Sequence, residues 1–209
     1  MVEVTNIEVV GLERSIKASG NAMLVGEINT LLYKIEIKEE REKNINRCTK
    51  LGTVPTGTGH DNFLKGIDVY FDIKYPQYFT PELQRYHWID IITSQSKMHR
   101  LTTAPKNMDF KTMFNQYVDW DLIERVQEYC SNYNDKEKEN EKYYWFMKAL
   151  SNLPMGYELW MTVKTNYLQL KTIYFQRKDH KLKEDWKEFC NFILSLPMFK
   201  ELVLKGKEK

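Results

Sequence analysis

The stretch that decides the fold is "GHDNFLKGIDVYFDIKY", residues 59–75. In its second half every second residue is apolar: Ile67, Val69, Phe71 and Ile73. Because successive side chains of a strand point to opposite faces of a sheet, this alternation predicts a β-strand with one buried face. Residues 49–62 are rich in Gly and Thr and contain Pro55, which predicts a loop. The sequence thus places His60 in a loop that leads into a strand.

A helix is predicted after this strand. Thr80 is a candidate N-cap, and Pro81 suits the first helical position because its missing N–H is not needed there. We expect helical structure to continue through residues 84–100, "QRYHWIDIITSQSKMHR".

Apolar residues recur at helical spacing in much of the remaining chain. We expect helices within six segments: 6–19, 26–48, 118–133, 143–156, 165–180 and 183–197. The charged run at about 134–142 predicts a solvated loop or helix end. The balance indicates an α/β (α+β) fold that is rich in helices and forms a single domain over residues 1–209.

Composition argues against several classes of protein. The net charge of +2, from 31 basic and 29 acidic residues, gives no support to nucleic-acid binding. The sequence has no signal-peptide pattern and no run of about 18 apolar residues, so we expect no transmembrane span. The three cysteines are far apart in the sequence, which argues against a disulfide framework and favours a reducing compartment. We therefore expect a cytoplasmic protein.

Familiar catalytic motifs are missing from the sequence. His60, His87 and His99 lack the spacing of zinc ligands, so we expect no metal site. There is no GxSxG nucleophile elbow. The Gly-rich loop at 57–62 is not followed by GK[ST], so it does not predict a phosphate-binding loop.

Residues 84–100 carry a distinctive polar set: Gln84, Arg85, His87, Ser94, Gln95, Ser96, His99 and Arg100. One interpretation is a solvated helix face, and the other is a ligand site. Solvated faces consist mostly of Lys and Glu, and neither occurs between residues 85 and 96. Arg, His and Gln donate hydrogen bonds in fixed directions, which suits an anion or a heterocycle.

The order of these segments resembles the flavin-dependent thymidylate synthases, also called thymidylate synthase complementing proteins. That family has a GHxS segment, a strand, and a helix with RHR followed by a stretch containing Ser and Arg. Later come an LP dipeptide, an Asn and an Arg. The similar segments here are "GHDN" at 59–62, "RYH" at 85–87, "SQSKMHR" at 94–100, Leu153-Pro154, Asn166 and Arg177. The N-terminal "VVGLERSIKASGN" is similar to the family's opening helix, so the resemblance covers most of the chain.

The resemblance implies a thymidylate synthase complementing protein-like fold with a central antiparallel-type sheet, assembled as a homotetramer with shared active sites. It implies FAD as cofactor, NADPH and methylenetetrahydrofolate as co-substrates, and conversion of dUMP to dTMP. It assigns cofactor contacts to His60, Arg85, His87, Asn166 and His180. It assigns substrate contacts to Gln84, Gln95, Ser96, Arg100 and Arg177. Catalytic roles would fall to His60 and to Arg177, whose charge would polarise the uracil carbonyls.

Lys65 stands where the family tends to have an acid, and four further positions also depart from the family pattern. Tyr86 and His87 stand where the family has His and Arg, and Leu150 and Leu168 stand where it has Arg. Loss of a bidentate arginine weakens anion recognition. A second hypothesis is therefore a non-catalytic protein that binds or sequesters a nucleotide on the same scaffold, and a third is a purely structural relative.

Overall fold

The structure is a computed structural model that describes residues 1–25, 38–103 and 109–205. Four strands form one antiparallel sheet in the order β1-β2-β4-β3. They are β1 Glu3–Val10, β2 Asp68–Pro76, β3 Asp90–Ser94 and β4 Glu158–Asn166. The α-helices of the described ranges are α1 Leu12–Ala18, α2 Lys38–Gly52, α3 Thr80–Leu83, α4 Lys97–Thr103, α5 Trp120–Asp135, α6 Glu139–Ser151, α7 Tyr167–Arg177 and α8 Lys183–Ser195. The predicted helix-rich fold with a central antiparallel sheet is confirmed.

The chain divides into two compact units. Unit 1 consists of Met1–Glu3, Asp72–Arg85 and Ile91–Thr162, and unit 2 consists of Val4–Phe71, Tyr86–Asp90 and Val163–Lys209. The prediction of a single domain over residues 1–209 is not tested by this division and stays a prediction. Within the described ranges, no helix has the length and apolar character needed to cross a membrane.

Strand β2 confirms the alternation that the sequence shows. Val69, Phe71 and Ile73 are buried, and the residues between them are partly exposed. One face of the strand therefore packs into the interior, as its apolar period of two requires.

The prediction of one helix through residues 84–100 is wrong. Helix α3 ends at Leu83, the residues of β3 form a strand, and a second helix begins only at Lys97. The physical reason is the run Ile91, Ile92 and Thr93, because β-branched side chains are stiff at χ1 and favour a pleated strand. Thr80 is the first residue of α3, and Phe79 holds the N-cap position.

The N-terminal segment is also less helical than its rhythm predicts. Residues 3–10 form β1, and helix α1 begins after Gly11, whose φ of 85° is in the left-handed region. A side chain at Gly11 would clash with the carbonyl oxygen of Gly66, so close backbone approach also requires glycine there. The predicted helical part at residues 28–35 lies outside the described residues.

The predicted start of the Gly- and Thr-rich loop differs from the structure. Residues 49–52 belong to α2, so the loop begins after Gly52 rather than at Thr49. The charged run 134–142 covers two helix ends, because α5 ends at Asp135 and α6 begins at Glu139, which agrees with the predicted solvated loop or helix end. Charged side chains at helix ends stay solvated without breaking the helix. Helices α5, α6, α7 and α8 confirm the predicted positions.

Aromatic side chains fill the core of each unit. In unit 2, the ring of Phe71 lies 4.8 Å from that of Phe192, and the ring of Trp186 lies 5.7 Å from that of Phe189. In unit 1, the ring of Phe114 lies 5.3 Å from that of Tyr157. Each fully buried ring contributes roughly 1.5–3 kcal/mol from removal of apolar surface from water. The unit 2 cluster holds α8 against β2.

Candidate functional site

Unit 2 contains a half-open cavity of about 810 Å³. Its walls come from α1, from α2 and from the segment that leads into β2. The polar residues on these walls are Ser15, Ser19, Arg47, His60 and Asn62. The remaining lining is small or apolar and includes Leu51 and Phe63. A cavity of this size with few polar groups on an apolar wall is typical of small-molecule and cofactor sites.

Arg47 is held in a fixed position at this cavity. Its Nε donates a hydrogen bond to Ser19 Oγ at 3.1 Å, and its Nη2 donates to Asn44 Oδ1 at 2.6 Å. A Cβ added to Gly20 would lie 2.7 Å from Nη2 and 2.8 Å from Cζ, so the guanidinium rests directly on the glycine backbone. Arg47 therefore brings a preorganised positive charge to the wall of the cavity.

His60 lies on the exposed tip of the loop opposite, between the described elements α2 and β2. The chain reverses there because Gly57 and Gly59 adopt left-handed φ values of 99° and 80°. The sequence prediction that His60 sits in a loop before a strand agrees with this geometry.

A buried ion pair anchors this loop to α7. Lys171 Nζ lies 2.6 Å from Asp61 Oδ2 and also donates to the carbonyl oxygen of Val54 at 2.6 Å. The side chains are 0% and 2% exposed, so water does not screen their attraction. Because Asp61 follows His60 directly, Lys171 fixes the position of the histidine backbone.

Helix α7 also holds the chain segment around Trp88. Asn166 caps the helix through a hydrogen bond that its Oδ1 accepts from Gln169 N at 3.0 Å. Gln169 Oε1 then accepts from Trp88 N at 3.2 Å, and Thr165 Oγ1 donates to Trp88 O at 2.7 Å. The Asn166 side chain, which the resemblance assigns to a cofactor, thus has a structural partner already.

Arg177 lies at the end of α7 in a small cluster of aromatic rings. Its Nε donates to the hydroxyl of Tyr86 at 2.6 Å, and its guanidinium lies 4.7 Å from the ring centre of Trp186. Tyr86 Oη lies 3.1 Å from Gln176 Oε1 and donates to it. The ring of His180 lies 6.0 Å from that of Trp186, and its Nδ1 accepts from Leu182 N at 3.2 Å. The structure therefore brings together two predicted site residues, Arg177 and His180.

Four predicted substrate residues lie in unit 1, and the polar groups of three of them contact the protein itself. Gln95 Oε1 accepts from Trp160 N at 3.0 Å, and Ser96 Oγ accepts from His99 N at 3.3 Å. Arg100 donates to the carbonyl oxygen of Glu158, and its guanidinium lies over the ring of Tyr157. Burial raises the pKa of the Tyr157 hydroxyl to about 12, so that group stays protonated beside Arg100.

The remaining predicted residues are exposed. Gln84 and Arg85 follow α3 in unit 1. The Arg85 Nη1 atom lies 3.5 Å from Glu82 Oε1. His87 belongs to unit 2, with its ring 5.7 Å from that of Trp88. The structure therefore divides the predicted set between the two units and does not unite it on one helix.

Sequence reasoning missed Arg47, the Asp61–Lys171 pair and Trp186. Lys171 carried a usable signal, because it interrupts the apolar positions Leu168, Leu170 and Ile173 on the buried part of α7. A lysine at such a position needs a buried acidic partner. Arg47 carried no signal, since one arginine in the charged segment 38–50 reads as a solvated side chain.

The cysteines do not provide a nucleophile. Cys48, Cys130 and Cys190 are buried free thiols, and burial raises the pKa of each. A thiol with a raised pKa is a poor nucleophile near neutral pH, because the thiolate is the reactive form. Among the described residues, no three His, Cys, Asp or Glu side chains are grouped as a metal would require.

Similar proteins were found by structure and not by sequence. No protein-family model matches the sequence, and no curated protein matches it. One similar solved structure is thymidylate synthase X (ThyX) from Helicobacter pylori with FAD and dUMP; the TM-score is 0.66 at 14% identity, covering 100% of both chains. Another is flavin-dependent thymidylate synthase ThyX from Helicobacter pylori complexed with FAD and dUMP, with a TM-score of 0.63 at 13% identity, covering 99% of this chain and 100% of that one. The chain therefore has a ThyX-like fold.

Proposed function

We propose that this protein binds FAD and a pyrimidine nucleotide, dUMP, and modifies C5 of the base as a diverged thymidylate-synthase-like enzyme. The observation that carries the proposal is the position of His60 on the wall of an 810 Å³ cavity in a chain with a ThyX-like fold. Cofactor sites span about 300–1,000 Å³, so the cavity has room for a substantial part of a flavin nucleotide.

The residues of this cavity fit the chemistry of a flavin nucleotide. Phe63 and Leu51 offer an apolar wall for a planar ring, and Arg47 offers a cation for an anionic group. When bound, reduced FAD would supply the hydride, with NADPH and methylenetetrahydrofolate as co-substrates. The residues of the chain would bind and orient.

In this proposal Arg177 and His60 are the catalytic residues. Arg177 would contact the uracil carbonyls, and its stacking on Trp186 and bond to Tyr86 would keep the guanidinium oriented. His60, Arg85, His87, Asn166 and His180 would contact the cofactor. Gln84, Gln95, Ser96 and Arg100 would contact the nucleotide. The proposed assembly is a cytoplasmic homotetramer with shared sites.

A second candidate is a nucleotide-binding protein without turnover. The hydrogen bond from Arg177 Nε to the Tyr86 hydroxyl favours it, because that donor is then not available to a substrate oxygen. Leu168, which stands at a position where the family has Arg, is buried and 5% exposed.

Binding and turnover measurements on the purified protein separate the two candidates. We expect an FAD absorbance spectrum after reconstitution, a rise in Tm with FAD and with dUMP, and formation of dTMP when both co-substrates are added. The His60→Ala variant should lose flavin affinity with stability unchanged within about 0.5 kcal/mol, since His60 is exposed. Nucleotide binding without dTMP formation, and without rescue of a thymidine auxotroph, would establish the non-catalytic candidate. Absence of both FAD and nucleotide binding would reject the proposal.

A further inference from the structure

Arg47 is held firmly at the cavity wall. Two hydrogen bonds, to Ser19 Oγ and to Asn44 Oδ1, fix its Nε and Nη2. A Cβ at Gly20 would lie 3.0 Å from Nη1, so the guanidinium can pack here only because residue 20 has no side chain. A side chain with this much support is oriented before any ligand arrives.

The second guanidinium nitrogen, Nη1, has no hydrogen-bond partner among the described residues. Arg47 is half-buried at the cavity wall, and no carboxylate of the described residues forms an ion pair with it. Charge-assisted hydrogen bonds to phosphate are about twice as strong as neutral ones and suit the planar geometry of arginine. Arg47 therefore places at the cavity wall a guanidinium that keeps donor capacity for a ligand.

The other cavity residues restrict the kind of anion. His60 and Asn62 stand on the wall formed by the loop, and Phe63 and Leu51 are the larger apolar contacts. A bare inorganic ion would leave the apolar wall hydrated, whereas a phosphate ester of a planar heterocycle would cover both surfaces.

We infer that Arg47 binds the phosphate of a nucleotide in this cavity and so determines its preference for phosphorylated over unphosphorylated ligands. The inference rests on the proposed function for the location of the ligand. It adds a residue and a role that the motif resemblance does not contain. Tyr86 is 7% exposed and its hydroxyl is bonded to Arg177, so this hydroxyl is not offered to a phosphate.

The test compares phosphorylated ligands with their unphosphorylated counterparts. Affinities of the intact protein for FAD, FMN and riboflavin would be measured by fluorescence quenching, and those for ADP and adenosine by calorimetry. We expect wild type to prefer FMN over riboflavin by about tenfold or more, and ADP over adenosine likewise. In Arg47→Gln the ratio of FMN affinity to riboflavin affinity should fall toward one, and so should the ratio of ADP affinity to adenosine affinity. The affinities for riboflavin and adenosine themselves should stay within about twofold of wild type.

Matched variants separate a phosphate contact from a change in fold or overall charge. Lys50→Gln removes the same charge from an exposed side chain of α2 and should leave the preferences unchanged. Arg47→Lys keeps the charge without the planar donor and should retain part of the preference.

The outcomes distinguish this inference from the proposed function. If FAD binds equally well to wild type and to folded Arg47→Gln, the inference is wrong and flavin binding stands. If ADP binds through Arg47 and FAD does not bind, the phosphate role stands and the flavin proposal is wrong. If neither ligand binds, both are rejected.

Discussion

At the scale of single residues, Arg177 combines a structural contact with a proposed ligand contact. Its guanidinium lies on the ring of Trp186 and bonds the hydroxyl of Tyr86. These two aromatic neighbours orient the guanidinium, and in the proposed function a uracil carbonyl oxygen would be its ligand contact.

We predict that Arg177→Ala reduces dUMP affinity at least tenfold while lowering the free energy of unfolding by only about 1–2 kcal/mol, the value of a partly buried cation–π contact and its packing. Calorimetry and urea denaturation would measure the two effects. Lys178→Ala, which removes the neighbouring exposed cation, is the control. A large stability loss with unchanged dUMP affinity would show that Arg177 is only structural.

At the scale of elements, α7 organises much of unit 2. Its first turn is capped by Asn166, its middle holds the His60 loop through Lys171, and its last turn carries Arg177. Changes in this one helix should therefore affect several predicted site residues together.

Asn166 tests the cap separately from any ligand contact. Asn166→Ala should lower the free energy of unfolding by about 1 kcal/mol, because the N–H of Gln169 loses its acceptor. Asn166→Asp keeps an acceptor and should preserve stability. If the cofactor assignment is also right, FAD affinity falls in both variants. A fall confined to the Ala variant would assign Asn166 to the helix alone.

The buried pair of Lys171 and Asp61 should show strong coupling. Lys171→Met leaves the Asp61 carboxylate buried without its partner and should cost about 3–5 kcal/mol in urea denaturation. The double variant Lys171→Met/Asp61→Leu should recover much of this loss, because no uncompensated charge remains. Additive effects of the two substitutions would contradict a direct interaction.

At the scale of the whole molecule, the thiols report how completely the cores exclude water. Burial raises the pKa of Cys130 to about 12 and that of Cys190 to about 11, against an ordinary value of 9.0. The thiolate is disfavoured in the native interior, so the unfolded chain releases its thiol protons first as pH rises.

Stability should therefore fall as pH rises above 9.0 and continue to fall until the native pKa values are reached. For Cys130, which is 1% exposed, the loss between pH 8 and pH 10 should be about 1 kcal/mol. Comparing urea denaturation of wild type and Cys130→Ala at both pH values isolates this contribution.

A thiol reagent at pH 8 should label none of the three cysteines until the protein unfolds. Rapid labelling of the native protein would contradict the burial.

The sequence by itself determined the elements whose pattern is local. Strand β2 and helices α5 to α8 follow from apolar periods of two and of 3.6, because burial of one face dictates those periods wherever the element lies. It also indicated the ThyX-like fold through the order of weak motifs, among them the loop of His60 before β2.

Only the tertiary structure decided the contacts between residues far apart in the sequence. It made residues 90–94 a strand, because pairing with β4 and β-branched side chains outweighed the helical pattern of the neighbouring residues. It paired Lys171 with Asp61 and set Arg47 on Gly20 at the cavity wall. Such placements depend on where the backbone brings distant side chains, and no local period in the sequence encodes that geometry.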